Sequence, residues 1–235
     1  MSKRQELRQK RHRQEQMQRI MLIVGVVIIA VAIVGWVIIA QKPVEGIVQA
    51  TPIARPQVSF NTAGDPNAPV KLTEYADFQC PFCRKFWQET EAQIVDTYVK
   101  TGKVYLEYHS FGTFIGVESG RAAEAAYCAG DQNKFWEMHD NLYANQGTEN
   151  SGALDDKHIV AIAKLVPGLD MTPFNDCFNN GKYKSKVSQD GVDAKQAGVN
   201  STPTFFVNQK RVEGAQPFAT FQQEIDAALA AAGNK

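Results

Sequence analysis

The chain has 235 residues, 44% of them hydrophobic, with 25 basic and 25 acidic side chains. That is enough apolar material for one domain with additions or for two small domains, and the overall balance excludes a generally basic, nucleic-acid-binding surface. The balance is uneven, however. Residues 1–19 hold Lys3, Arg4, Arg8, Lys10, Arg11, Arg13 and Arg19 against Glu6 and Glu15, a net +5, which leaves −5 for the remainder. Residues 20–40 follow without a charge. As a helix they reach roughly 31 Å at about 1.5 Å per residue, which matches a bilayer hydrocarbon core of about 30 Å. Trp36 lies near the far end, where interfacial aromatics collect. The basic residues before the span predict a cytoplasmic tail at 1–19, a single transmembrane helix at 20–40, and everything later on the outer side. A cleaved signal peptide is the alternative. Its apolar core is normally about 7–15 residues long, and the nearest tolerable cleavage site is Val48-Gln49-Ala50. Either reading carries the rest of the chain across the membrane.

Residues 41–56, with Pro43, Pro52 and Pro56, read as a stalk. Val58 to Phe60 fits a short strand, and residues 64–69 are dense in turn formers. Val70 to Phe78 reads as a strand with Val70, Leu72, Ala76 and Phe78 on one face and Glu74 the exception among them. A helix is predicted from the Cys80 region, with Pro81 at its first position, where a missing N–H costs nothing. Lys103 to His109 alternates as a second strand. From about Glu118 to Lys195 the apolar spacing is helical, punctuated by Gly130, Pro167-Gly168, Pro173 and Gly181, with Asp155 or Asp156 as a cap. Thr204–Val207 and Arg211–Val212 flank a turn at Asn208-Gln209-Lys210, and Phe218 to Ala232 closes the chain as an amphipathic helix. Strand, helix, strand, helical block, hairpin and helix together describe an α/β layered domain with a helical insertion.

Cys80-Pro81-Phe82-Cys83 carries the chemistry. A cysteine at a helix start meets unpaired N–H groups and the positive end of the helix dipole, which stabilise its thiolate. Such a thiolate leaves easily, so the pair makes an oxidising disulfide. Cys83, one turn in, is the buried resolving thiol. A zinc half-site and an inert disulfide are the rival readings. A structural zinc needs four ligands, and no second close Cys or His pair exists, so no metal and no cofactor are expected. Four cysteines, all after the span, allow three pairings, and spacing does not choose among them. His109 and His139 read as satisfied structural residues, and Phe135, Trp136 and Tyr143 as core.

The stretch Glu74-Tyr75-Ala76-Asp77-Phe78-Gln79-Cys80-Pro81-Phe82-Cys83 resembles the active-site region of the DsbA-like branch of the thioredoxin superfamily. Lys134-Phe135-Trp136-Glu137-Met138-His139 and Ser201-Thr202-Pro203-Thr204-Phe205-Phe206-Val207 extend the likeness over residues 57–235. The resemblance implies a thioredoxin-like fold with an insertion at about 114–197 and a protein thiol–disulfide oxidoreductase. Cys80, Cys83, Pro203 and Glu74 become catalytic candidates, with Pro203 as a cis-proline facing the CxxC and Glu74 as a buried proton carrier for Cys83; on the residues alone, Pro203 could equally be a trans residue at a strand edge, and a solvent-facing edge-strand carboxylate is the alternative for Glu74. Thr202, Pro81 and Phe82 become substrate-facing candidates. The resemblance also implies a structural bridge between Cys128 and Cys177, worth about 4 kcal/mol in the chain-entropy model, with a second redox pair as the alternative. Implied partners are extracytoplasmic protein thiols and a quinone-linked membrane protein. Where some strongly oxidising members carry a His in the dipeptide, this chain has Phe82, which offers no cation and predicts a milder oxidant. A reductase or isomerase using the same chemistry, and a membrane-tethered chaperone or peptide-binding module without thiol exchange, are the alternatives.

Overall fold

The computed structural model describes residues 3–40 and 44–233, with side chains of the first helix described from 13 to 36. The start of the expected stalk, Pro43 included, and the last two residues of the expected domain lie outside the described residues. The chain divides into two units, residues 1–43 and 44–235.

The first unit is one helix, α1 (Lys3–Ala40). Its Arg13–Trp36 portion is long and apolar enough to cross a membrane. Side chains such as Ile20, Leu22, Ile28 and Trp36 are exposed along it.

The second unit is built on a five-stranded mixed sheet in the order β1-β3-β2-β4-β5. Its strands are β1 (Thr62–Ala63), β2 (Val70–Ala76), β3 (Val104–Ser110), β4 (Thr204–Val207) and β5 (Lys210–Glu213). β2 and β3 run parallel in the centre, and the other pairings are antiparallel. Parallel neighbours need a crossover, which the helical run from Pro81 to Val99 supplies. That run begins as α2 (Pro81–Phe86), passes through α3 (Ala92–Ile94), and widens to π-helical turns at Trp87–Glu91 and Val95–Val99. Nothing in the apolar spacing marks this widening.

Between β3 and β4 come α4 (Val117–Gly130), α5 (Phe135–Ala144), α6 (Asp156–Ala163), α7 (Met171–Asn179) and α8 (Lys184–Gln196). Asp155 caps α6 by accepting from the His158 N–H, and Asp170 caps α7 by accepting from the Thr172 N–H. Pro173, expected between helices, sits in the first turn of α7, where its missing donor has no intrahelical partner to lose. A disulfide joins Cys128 of α4 to Cys177 of α7, with the Cα atoms 5.8 Å apart. α9 (Phe218–Gly233) closes the unit against the sheet.

One sheet face carries Leu72, Glu74, Leu106, Tyr108 and Phe205, all buried, and Glu74 sits opposite Tyr108 on one neighbour and Phe205 on the other. The ring of Phe86 packs on Phe205 at 4.4 Å and on Phe221 of α9 at 5.3 Å. On the opposite face Tyr75 and Phe206 pack with Ala194 of α8. Gly64 turns the chain into the sheet at φ +96, and a Cβ there would meet the Val104 carbonyl at 2.6 Å, so only glycine fits.

Two expectations change. The strand expected at Val58–Phe60 lies instead at Thr62–Ala63. Phe60 has φ 52 and turns out of the sheet to stack on Tyr127 at 5.5 Å. Residues 44–56 form no helix or strand, as a stalk would, but they are docked. The N–H groups of Val48, Ala50 and Ile53 donate to Asn145, Asn141 and Asp140 of the α5 region at 2.8, 2.8 and 2.9 Å. A polar stripe on one helix thus satisfies a segment that has no strand partner.

Candidate active site

β2 ends at Ala76, and the chain makes one tight turn before α2 begins. Asp77 sets that turn: its Oδ1 accepts from the Gln79 N–H at 2.8 Å, and its carbonyl accepts from the Cys80 N–H at 3.0 Å. Cys80 is then the N-cap of α2, extended at φ −71 and ψ 120, with Pro81 as the first helical residue. Its carbonyl accepts the first helical hydrogen bond from Arg84 at 3.2 Å, so its sulfur lies beside the free N–H groups of the first turn.

The insertion holds this turn from the other side. Gln146, just after α5, donates to the carbonyls of Phe78 and Cys80 at 2.6 and 3.0 Å. Gln79 donates to Ser119 at 2.9 Å and accepts from the Asn150 N–H at 2.6 Å. No motif singles out Gln146, Gln79 or Asn150, because their partners lie tens of residues away in sequence.

Opposite the helix start, the Thr202–Pro203 peptide bond is cis. The Cys80 thiol donates to the Thr202 carbonyl at 3.3 Å. CxxC and Thr-Pro loop, far apart in sequence, therefore share one site. Cys80 is only 5% exposed, whereas Phe82 and Phe114 beside it are 61% and 52% exposed. With Ile115, Glu149, Ser201 and Thr202 they line an open groove beside the sulfur, apolar on the Phe82–Phe114 side and polar at Glu149 and Ser201.

The two thiols differ in ionisation. A hydrogen bond from the Cys83 thiol, and further ones from Thr202 and the helix-start N–H groups of Cys83 and Phe82, overcome burial and bring Cys80 down to about 6. Burial, together with the hydrogen bond to Cys80 and that neighbour's charge, pushes Cys83 well above an ordinary thiol. No cation is needed at Phe82 for this asymmetry.

Glu74 is 1% exposed, and its Oε2 has no hydrogen-bond partner. Burial and then the charge of Glu91 push its carboxyl well above the ordinary range, while Arg55 opposes them. Arg55 is a residue that sequence reasoning missed. It donates to Glu91 at 2.6 and 3.1 Å and to Asp140 at 2.9 and 3.0 Å, with side-chain exposures of 1, 2 and 0% for the three residues. Its guanidinium lies 4.4 Å over the Trp136 ring. Burial disfavours ionised Asp140, yet the Arg55 charge and hydrogen bonds from His139 and Arg55 hold it well below the usual carboxylate range. Ligand atoms of Glu91, His139 and Asp140 lie within 4.8 Å of one another, as metal ligands do, but Arg55 already supplies that cluster with a cation.

His139 is fully buried, with Nδ1 2.9 Å from Asp140, among the rings of Phe78, Tyr108, Trp136 and Tyr143. His109 lies on β3, 3.2 Å from Glu107 and 3.5 Å from Asp190. Burial disfavours its charge, but these carboxylates raise it to about 9.

Paired cysteines at a strand-to-helix turn, facing a cis-proline on a mixed sheet with helices on both faces, define a thiol–disulfide oxidoreductase. The thioredoxin family profile matches residues 59–227. The probable disulfide bond formation protein D of Bacillus cereus is 32% identical over 148 residues, covering 62% of this chain and 68% of that protein. The crystal structure of oxidised BdbD from Bacillus subtilis superimposes with a TM-score of 0.65 at 23% identity, covering 78% of this chain and all (100%) of that one. A Na(+)/H(+) antiporter NhaA 1 of Salinispora arenicola is 32% identical over 167 residues, but only 24% of that protein is covered, so nothing of transport carries over. The chain belongs to the thioredoxin superfamily, in its DsbA-like branch.

Proposed function

We propose that this oxidoreductase donates its Cys80–Cys83 disulfide to proteins folding outside the cytoplasm. The observation that carries the reading is geometric: Cys80 caps the start of α2, 3.3 Å from the Thr202 carbonyl beside the cis Pro203, with Cys83 fully buried behind it, a setting that brings Cys80 down to about 6 and keeps Cys83 protonated. A stabilised Cys80 thiolate favours the reduced pair, so the disulfide is an oxidant. A substrate thiolate attacks the Cys80 sulfur, and the Cys80–Cys83 bond breaks. Its electron pair goes to Cys83, which takes a proton from Glu74. A second substrate thiolate then attacks the substrate sulfur of the mixed disulfide. Cys80 leaves as thiolate, and the substrate departs oxidised by two electrons.

In this reading the backbone beside Pro203 and Thr202 pairs with an extended substrate segment, and Pro81 and Phe82 face it from the helix side. The Cys128–Cys177 bridge is structural. Residues 1–19 are cytoplasmic and 20–40 form a single uncleaved span, a topology supported by the basic tail and the apolar helix. A quinone-linked membrane protein reoxidises the pair.

The test is the reduction potential of the pair against glutathione. The proposal expects a value clearly above thioredoxin's, about −270 mV, and a value at or below that level makes the protein a reductase. Loss of extracytoplasmic disulfide formation in C80S separates the enzyme from a chaperone or peptide-binding module, in which C80S would retain full activity.

A further inference from the structure

We infer that Gln79 is a positioning residue for polypeptide substrates: through Asn150 and Ser119 it holds two loops of the insertion at the groove beside Cys80. The inference rests on the proposed reading that polypeptide thiols are the substrates.

The groove has two kinds of wall. Cys80, Pro81 and Phe82 come from the start of α2, and Ser201 and Thr202 from the loop before β4. Phe114, Ile115 and Glu149 come from two loops of the insertion, one leading into α4 and one following α5. Neither loop is helix or strand, so each needs partners outside itself to keep its side chains in place.

Gln79, next to Cys80 in the chain and only 3% exposed, supplies those partners. Its amide nitrogen donates to Ser119 of α4 at 2.9 Å and to Asn150 Oδ1 at 3.3 Å, and its oxygen accepts from the Asn150 N–H at 2.6 Å. Asn150 Nδ2 in turn donates to the Ile115 carbonyl at 3.4 Å, so one side chain ties the loop of Glu149 to the loop of Phe114. Beyond Asn150, the N–H groups of Gly152 and Leu154 donate to Glu118 at 2.8 and 3.0 Å. The far side of that loop is thus held by α4, and its groove side by Gln79. Gly116 leaves room for the arrangement. Its backbone is extended, at φ 175, but a Cβ there would collide with the Asn150 side chain.

A small dithiol needs only the Cys80 sulfur. A polypeptide must also lie along the groove, with apolar side chains against Phe82 and Phe114 and a basic one at Glu149, the one charged side chain lining it among the described residues. Misplaced loops therefore penalise the polypeptide more than the small dithiol.

The test uses full-length oxidised protein in detergent. Second-order rate constants are measured for its reduction by dithiothreitol and by an unstructured peptide with two cysteines, one of them between a leucine and a lysine; the peptide closes its own disulfide as the protein is reduced. Q79L removes the hydrogen bonds at similar volume. N150G removes the bridge and accepts the left-handed backbone at φ 53. G116A displaces the Asn150 side chain and leaves Gln79 in place. Each should lower the peptide-to-dithiothreitol ratio of rate constants by about tenfold, the scale of one buried hydrogen bond. Q79L/N150G should fall no further than Q79L, because both break one network. A wild-type ratio in N150G and G116A, with both probes slowed alike or not at all, overturns the inference even if Q79L does not fold. So does a double variant whose ratio falls by the product of the two single effects. Wild-type protein that dithiothreitol reduces and the peptide does not overturns the reading of polypeptide substrates itself, a result distinct from an unmoved ratio.

Discussion

At the scale of single residues, a thiol that ionises at about 6 sits against one held protonated by burial, and this has a consequence for stability. The folded value of Cys80 is depressed below the ordinary 9.0, so its contribution to the reduced protein is present above pH 9 and is lost as pH falls through 6. Cys83 is raised and acts in the opposite sense, but only above pH 9. The oxidised protein titrates neither thiol, so the melting temperature of the reduced form relative to the oxidised form should rise between pH 6 and 9. A gap that stays flat in calorimetry across that window contradicts the assignment. Substituting Cys83 by Ala should raise the pH at which Cys80 ionises, because the Cys83 hydrogen bond is the largest lowering influence; thiolate absorbance reads this directly. At this scale the CxxC was legible in sequence because it is a short run with few chemical uses, whereas the Thr-Pro pair stood out only through the family resemblance, a trans proline at a strand edge being an equal reading of the residues alone. Glu74 was visible as a charge on an apolar face. Arg55 and Gln146 were not, since Arg55 acts on Asp140 and Gln146 on Cys80 across long stretches of chain.

At the scale of elements, the helices of the insertion are fixed by caps, a covalent bridge and packed aromatics. D155A removes the acceptor for the His158 N–H and should cost about 1 kcal/mol, the usual value of an N-cap, read as a shift in the denaturant midpoint. Replacing both Cys128 and Cys177 by Ala opens a loop with a sequence separation of 49; about 4 kcal/mol of stability should be lost on the entropy model. Thiol–disulfide exchange should persist if the fold survives. The apolar spacing marked α4, α5 and α6, because an amphipathic period is a local property, but it did not separate α7 from α8, and Pro173, read as a break, lies in the first turn of α7. The spacing misplaced the first strand, because Phe60 is drawn to Tyr127 and Tyr183, partners that no local pattern specifies. The docking of 44–56 was likewise invisible, since Pro-rich extended chain reads the same whether bare or bound.

At the scale of the whole molecule, the basic tail and the apolar helix predict that a protease outside intact cells or spheroplasts removes the redox unit and leaves the N-terminus protected. Protection of the redox unit instead would reverse the proposed orientation. The class of fold was legible because strand, helix and insertion order is a coarse property, and because the CxxC follows one sheet strand and the Thr-Pro pair precedes its antiparallel neighbour, at the same end of the sheet. The charge cluster beneath that sheet was not, because its members come from three separate stretches of chain.

The most direct measurement is alkylation of the reduced full-length protein across a pH series, with the modified cysteine mapped by mass spectrometry. Cys80 alone should react, with a half-maximal rate near the value of about 6 that its surroundings impose, while Cys83 stays unmodified. Reaction beginning only in the ordinary thiol range, or reaching Cys83 first, would contradict the account.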